Sequence, residues 1–427
     1  MIYQRSDSLN PFQINLTIEA STHWKKRRLS RICKDIGSGT TPSRENKLNF
    51  IDGTIPWVLT GELNNSVLLK GNFYITEYAL DHYPSLKIYP ANSIIIAMYG
   101  STIGKVSILK FASTVNQACC VLPPSEGFDS TFLFYSLIAA KERLLSLAVG
   151  GAQSNIKVDT IKSIEIALPS ITEQKRISSY LDKEIGLIKS LIIKREKLIK
   201  LLKEKKQALI RESISRGMNK TIPLKSSGID YLGKVPVNWS VKRLSHLFKT
   251  LKGKSSQQLT KTFCQKNEGP YPVYSGQTDG NGIMASINVF EFDTGKQHVI
   301  LSTTVGAKAM TVKNIHGRFN LSQNCMIIFP KSGECLTSYF EYCFSCIFQL
   351  ERALIPSYIK PSFRKEDFLK IKIPVPPIKE QENIARFLTK EVSQIDKLIE
   401  LSDVFISKLR EKQNTLIILA TKGGIPI

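Results

Sequence analysis

The sequence offers few residues of the kind that make or break bonds. Gly100-Ser101-Thr102-Ile103-Gly104-Lys105 follows an apolar run and has the outline of a phosphate-binding loop, in which backbone N–H groups and a lysine cradle phosphates. Its spacing is wrong. Three residues separate the glycines where that loop has four, and Val106 stands where Ser or Thr would hold magnesium. What remains is either a tight turn whose backbone and Lys105 approach a phosphate, with Gly306-Ala307-Lys308 in the comparable place later on, or a plain surface turn. Cys343 and Cys346 form a lone C-x-x-C, whereas structural zinc generally takes four ligands. Beyond Cys335 and His316 the sequence offers no second ligand pair at suitable spacing, so the thiols read as core or surface residues and no metal is expected. The five histidines are dispersed, with no H-E-x-x-H, no Gly-x-Ser-x-Gly and no Cys/His nucleophile signature. Asn10-Pro11-Phe12 lacks the second proline of a methyltransferase loop. The chain is therefore expected not to be an enzyme and to hold no cofactor.

Charge points to binding instead. Lys and Arg total 59 against 36 Asp and Glu, a formal charge of +23 at pH 7. An excess of that size suits a polyanion, and nucleic acid fits it better than a membrane surface. Base edges are read by amides and guanidinium groups, while hydroxyls and lysines fix the backbone. On those grounds Gln117, Gln323, Tyr274 and Gln277 are candidates for base contact, the last two from the polar run Tyr274-Ser275-Gly276-Gln277, and Lys105 and Lys308 for phosphate contact. Gln117 and Gln323 lie at equivalent positions, so they serve equally well as residues that satisfy buried backbone groups. Residues reading different bases should differ between two copies of a fold, and shared ones should support the scaffold or touch phosphates.

The elements that must position these residues follow from length and repetition. At 427 residues the chain exceeds one ordinary core, which predicts two or three domains. Its 42% hydrophobic content excludes wholesale disorder. No stretch approaches the ~20 apolar residues of a bilayer span, and no signal peptide is apparent. Eight scattered cysteines suit free thiols in a reducing compartment, so a soluble, cytoplasmic protein is expected. Trp24-Lys25-Lys26-Arg27-Arg28-Leu29-Ser30 recurs as Trp239-Ser240-Val241-Lys242-Arg243-Leu244-Ser245. Leu168-Pro169-Ser170-Ile171-Thr172-Glu173-Gln174 lies 207 residues before Val375-Pro376-Pro377-Ile378-Lys379-Glu380-Gln381, and Gln117 and Cys119 pair with Gln323 and Cys325 at nearly the same offset. A unit of about half the chain is used twice.

Each unit has two unlike parts. The first reads as short β-rich runs broken by turn signals such as Gly37-Ser38-Gly39 and Asp52-Gly53. The second begins after Pro169, where Ser170 and Glu173 have capping-box spacing, and no proline follows until Pro223. There Ile177, Leu181, Ile188, Leu191, Leu198, Leu202 and Leu209 follow spacings of 4, 7, 3, 7, 4 and 7, repeated by Ile384, Leu388, Ile395, Leu398, Phe405, Leu409 and Leu416. Such spacing puts them on one stripe of a helix, narrow enough for a coiled-coil seam. Roughly 44 residues from Glu173 to Arg216 would extend about 65 Å, so each helix needs a long partner, and the other copy is the natural one. Lys194, Arg195, Lys197, Lys200, Lys203, Lys205 and Lys206 make the first helix basic, either as a solvated face or along a nucleic acid backbone. The predicted class is α+β: two mixed α/β domains joined by two long helices in an antiparallel coiled coil. The expected segments are a leader over 1–23, domains over 24–168 and 238–375, helices over 169–220 and 376–427, and a linker over 221–237. Two such domains held apart by a pair of rods would touch two separated half-sites of a duplex.

The paired helix starts, the run Gly228-Ile229-Asp230-Tyr231-Leu232-Gly233-Lys234-Val235-Pro236-Val237-Asn238-Trp239 and the half-chain repeat together resemble the specificity subunit of type I restriction-modification systems. The resemblance covers nearly everything from Trp24 onward and departs from the pattern where Met1 to His23 lacks the Gly-Ile-Asp-Tyr-Leu-Gly lead-in. It implies two target recognition domains, each reading one half of an asymmetric bipartite DNA site. It implies spacer helices that set the gap and dock methyltransferase subunits, and adenine methylation by those partners with S-adenosylmethionine. Restriction subunits would join the same complex. A nucleic-acid scaffold without sequence preference and a cryptic DNA-acting enzyme are the competing readings.

Overall fold

The computed structural model describes residues 23–147, 155–230, 232–276, 279–306, 308–356, 358–359 and 361–425. Four helices organise it: α1, Ser130–Ala139; α2, Ile171–Arg216; α3, Thr337–Ala353; and α4, Ile378–Thr421. The chain divides into two compact units at Arg195/Glu196 and Asp403/Val404, so that unit one takes the first part of α2 and the end of α4, and unit two takes the rest of both.

In unit one a five-stranded sheet runs in the order Gly37–Ser38, Cys119–Leu122, Ile94–Ala97, Val106–Leu109, Ser66–Leu68. Its three central strands are buried throughout, which explains why they read as continuous apolar runs without alternation. Alternate residues still separate. Ile94, Ile96, Val106, Ile108, Cys120 and Leu122 face a core shared with Phe132, Leu133 and Leu137 of α1, while Ile95, Ala97, Leu109, Cys119 and Val121 face Val58, Leu63, Tyr89 and Val115. A three-stranded sheet of Tyr74–Ile75, Ile55–Val58 and Thr114–Val115 lies beyond.

Unit two builds the same plan with other strands. Phe248–Leu251, Cys325–Pro330, Val299–Thr303 and Val312–Ile315 form one four-stranded sheet. Ile283–Ile287, Glu268–Tyr274, Arg318–Leu321 and Phe292–Asp293 form another. Ile300, Met326 and Ile328 pack on α3 through Phe340, Phe344 and Phe348, and Leu301, Cys325 and Ile327 pack on Phe319 and Leu321.

Each unit ends in an antiparallel ribbon leading to its long helix. Lys25–Arg28 pairs with Glu165–Leu168, and Ser240–Arg243 with Lys372–Val375, in the same register. Among the described residues no helix is long and apolar enough to cross a membrane. All eight cysteines are buried and free.

Candidate nucleic-acid interface

The helix starts act as clamps. Gln174 is buried, accepts from Asp129 N at 2.8 Å and donates to Pro169 O at 3.0 Å. Gln381 repeats this, accepting from Leu336 N at 2.8 Å and donating to Pro376 O and Glu334 O at 2.9 Å. The preceding carboxylates take the indoles: Trp24 Nε1 donates to Glu173 at 3.2 Å and Trp239 Nε1 to Glu380 at 2.8 Å. The capping box at Ser170 is half made, since Glu173 N donates to Ser170 Oγ at 3.3 Å while the Glu173 carboxylate is engaged by Trp24. Gly217, at φ +65°, closes α2 in unit two where a Cβ would strike both Glu380 and Trp239. Satisfying backbone groups of the domain, one of the two roles open to Gln117 and Gln323 in the sequence, is carried out by Gln174 and Gln381.

The long helices pack antiparallel within each unit. In unit one Ile177, Leu181 and Ile185 share a core with Ile417 and Ala420, and Arg195 lies 4.7 Å above the Phe405 ring. In unit two Lys206 pairs with Asp396 at 2.7 Å, and Ile210 and Ile214 share a core with Ile384 and Leu388. Of the residues expected in the seam, Ile177, Leu181, Ile188, Ile384, Leu388, Ile395 and Leu409 are buried and Leu202, Leu209 and Leu416 half-buried. Leu191, Leu198, Leu398 and Phe405 are exposed at 44%, 38%, 51% and 40%. The heptad passes beside them through Leu181, Ile185, Ile188, Ile192, Arg195, Ile199, Leu202, Lys206, Leu209 and Ser213, all buried or half-buried. Shifted by 207 residues the series becomes Leu388, Val392, Ile395, Ile399, Ser402, Ile406, Leu409, Gln413, Leu416 and Ala420, again buried or half-buried. The same shift carries exposed Leu191 to Leu398 and Leu198 to Phe405, so each unit exposes two equivalent apolar residues, one on each helix: Leu191 and Phe405 in unit one, Leu398 and Leu198 in unit two.

Arg195 and Lys206 leave the basic run for the seam; Lys194, Lys197, Lys200, Lys203 and Lys205 are exposed. Gly100–Thr102 is a short 3-10 turn joining two antiparallel strands, so no helix N-terminus stands behind it as a phosphate loop requires. Its counterpart in unit two begins at Gly306. Gly104 N donates to Ala97 O at 2.9 Å, and Met310 N donates to Thr303 O at 2.8 Å, which makes Lys105 equivalent to Thr311 and Lys308 to Thr102. The loops correspond, but the two lysines do not; Lys105 is half-buried and Lys308 exposed.

Tyr274 is buried against Phe319 with ring centroids 5.9 Å apart, and burial pushes its phenol up, so it is a core residue whose carbonyl accepts from Ser322 N at 2.9 Å. Gln277 lies outside the described residues, as do most of the leader and Asn10-Pro11-Phe12. Gln117 and Gln323 are exposed at the tips of matching turns, and Gln117 Oε1 accepts from Thr41 Oγ1 at 2.6 Å. Cys343 and Cys346 sit in the buried face of α3, where desolvation pushes Cys346 up to about 11 and Cys343 well above the usual thiol range.

Residues 22–204 and 236–404 match the family model of the type I restriction modification DNA specificity domain. Over 171 residues, 39% of this chain and 41% of the relative, the sequence is 33% identical to the EcoR124I/EcoR124II specificity subunit of Escherichia coli. Over 243 residues, 53% and 52% of the two chains, it is 32% identical to the MjaIX specificity subunit of Methanocaldococcus jannaschii. The chain spans about half the length of the curated relatives it matches. Among solved structures, one described for complex assembly and conformational transition of the type I R-M system superposes with a TM-score of 0.73 at 16% identity, covering 95% of this chain and 100% of the other. The HsdS subunit of Thermoanaerobacter tengcongensis gives 0.53 at 15% identity, over 95% and 98%.

Proposed function

The chain belongs to the type I restriction-modification DNA specificity family, and from that membership we propose that it is the non-catalytic subunit that reads a bipartite, asymmetric duplex site. The observation that carries the proposal is duplication with divergence. Each unit fastens its globular part to a long helix through the same tryptophan, glutamate and glutamine, while the strands and surface loops differ. Shared anchors give both domains one way of meeting the helices, and unlike surfaces let them read unlike sequences.

The helices then set the number of unread base pairs between the half-sites. Equivalent exposed apolar residues, Leu191 and Phe405 in unit one and Leu398 and Leu198 in unit two, give each unit a docking surface, which supports two methyltransferase subunits per chain. Those subunits would bind S-adenosylmethionine and methylate adenine, and restriction subunits would join the complex in the cytoplasm. Exposed Lys194, Lys197, Lys200 and Lys203, together with Lys105 and Lys308, would meet phosphates, with Gln117 and Gln323 nearer the bases. The segments proposed for these roles are 24–168 and 238–375 for the domains and 169–220 and 376–427 for the helices.

Footprinting of the chain with its methyltransferase subunits tests the reading. Two protected patches separated by an unprotected stretch are expected; uniform protection at every sequence would assign the chain to non-specific binding.

A further inference from the structure

Two tight turns occupy equivalent places in the two units. Asn116-Gln117-Ala118-Cys119 closes with Cys119 N donating to Asn116 O at 3.2 Å, and Ser322-Gln323-Asn324-Cys325 with Cys325 N donating to Ser322 O at 3.1 Å. Each is tied at its start to a neighbouring strand: Asn116 N donates to Val58 O at 3.2 Å and Ser322 N to Tyr274 O at 2.9 Å. Each is tied at its third residue to the loop beside it, where Met98 N donates to Ala118 O and Thr304 N to Asn324 O, both at 2.8 Å. Both closing cysteines are buried. The backbone is one object built twice; its sequence differs at the first residue, Asn116 against Ser322, and at the third, next to the shared glutamine, where unit one has a methyl and unit two an amide.

Two further observations mark these tips as places where a polar ligand arrives. Among the described residues, Asn116 Oδ1 in unit one and Thr304 Oγ1 in unit two are buried without a hydrogen-bond partner, a condition native interiors rarely tolerate unless water or a ligand completes them. In unit two the tip also lines a cleft of about 380 Å³ with Ser256, Gln257, Thr260, Met284 and Gln323, and among the described residues no charged side chain lines it. Amides and hydroxyls without charge suit base edges better than phosphates.

We infer that Ala118 and Asn324 are specificity-determining positions, Asn324 pairing its amide with the N6 and N7 edge of an adenine and Ala118 packing its methyl on the C5 methyl of a thymine. The inference rests on the proposed reading of a bipartite site and names the residues that make its halves unlike. Gln117 and Gln323, common to both turns, keep a shared contact, and the third residue changes the base. Asn324→Ala retains the Cβ that borders Gly276, so the turn should keep its fold.

The test is selection of duplexes from a randomised pool by the full chain with its methyltransferase subunits, for the wild type, Asn324→Ala and Ala118→Asn. Asn324→Ala should lose an adenine preference of roughly 5- to 150-fold at one position of one half-site, with the other half unchanged. Ala118→Asn should alter one position of the other half. Placing 7-deazaadenine at the first position should weaken wild-type binding and leave Asn324→Ala unaffected. A wild type that selects a bipartite site, with both variants selecting the same site, overturns the assignment of the turns alone. A wild type that selects no site overturns the parent reading as well.

Discussion

The indole of Trp239 donates to Glu380 at 2.8 Å, and the same bond joins Trp24 to Glu173 at 3.2 Å in the other half of the chain. Beside each carboxylate a buried glutamine binds the backbone of its domain. Changing Gln381 to Leu takes the partner from Pro376 O, which is buried, and from Leu336 N and Glu334 O, which are partly buried, a buried group left unpaired costing about 1–3 kcal/mol and the others less. Calorimetry should show Gln381→Leu melting several degrees below the wild type, and Gln174→Leu should behave alike. A melting temperature unchanged by both would remove the clamps from the account.

Burial pushes the thiols of Cys33 and Cys120 up to about 12 and those of Cys335 and Cys346 up to about 11. The unfolded chain therefore loses these protons first, near the ordinary value of about 9, and the folded state holds them longer. This contribution to stability is whole below pH 9 and is lost as pH rises toward 11 to 12. Urea melts should give constant stability from pH 7 to 8 and a decline above 9. Iodoacetamide at pH 8 should spare the native thiols and reach all of them in urea; rapid native alkylation would contradict the burial.

Exposed Lys197, Lys200 and Lys203 are assigned to phosphates. Each change to Gln should weaken binding to every sequence alike and reduce the slope of log affinity against log salt by about 0.9 per contact. An identical slope in the triple variant would return these lysines to solvent.

On the proposed function the repeating seam would make the helices a ruler with a definite unit. Seven residues inserted into both α2 and α4, near Ile199 and Ile406, preserve the heptad and add about 10 Å, close to three base pairs of duplex. Methylation sites mapped by sequencing should show the unread gap lengthened with both halves intact. An active variant with the original gap would separate spacing from helix length.

Much of this was legible in the sequence because duplication supplies its own control. The 207-residue shift located both helices, and Gln117 with Cys119 against Gln323 with Cys325 located the matching turns. The seam departs from the expected stripe at two positions per helix because two apolar stripes run along each helix, and periodicity alone does not tell exposed Leu191 and Leu198 from Ile192 and Ile199, which are half-buried and buried. Arg195 and Lys206 hid the seam further, since a basic residue is ordinarily read as solvated. Tyr274 looked like a reader among polar neighbours, but its ring is set by long-range packing on Phe319. The strand orders of the sheets depend on pairings distant in sequence, which no local pattern records.

The central claim, that each globular part reads its own half-site, is tested most directly by exchanging residues 24–168 for those of a relative with a different target and mapping every methylated site in the presence of the methyltransferase subunits. The account predicts that one half of the site changes to the donor's sequence while the other half and the gap stay as they were. A change in both halves, or in neither, would contradict it.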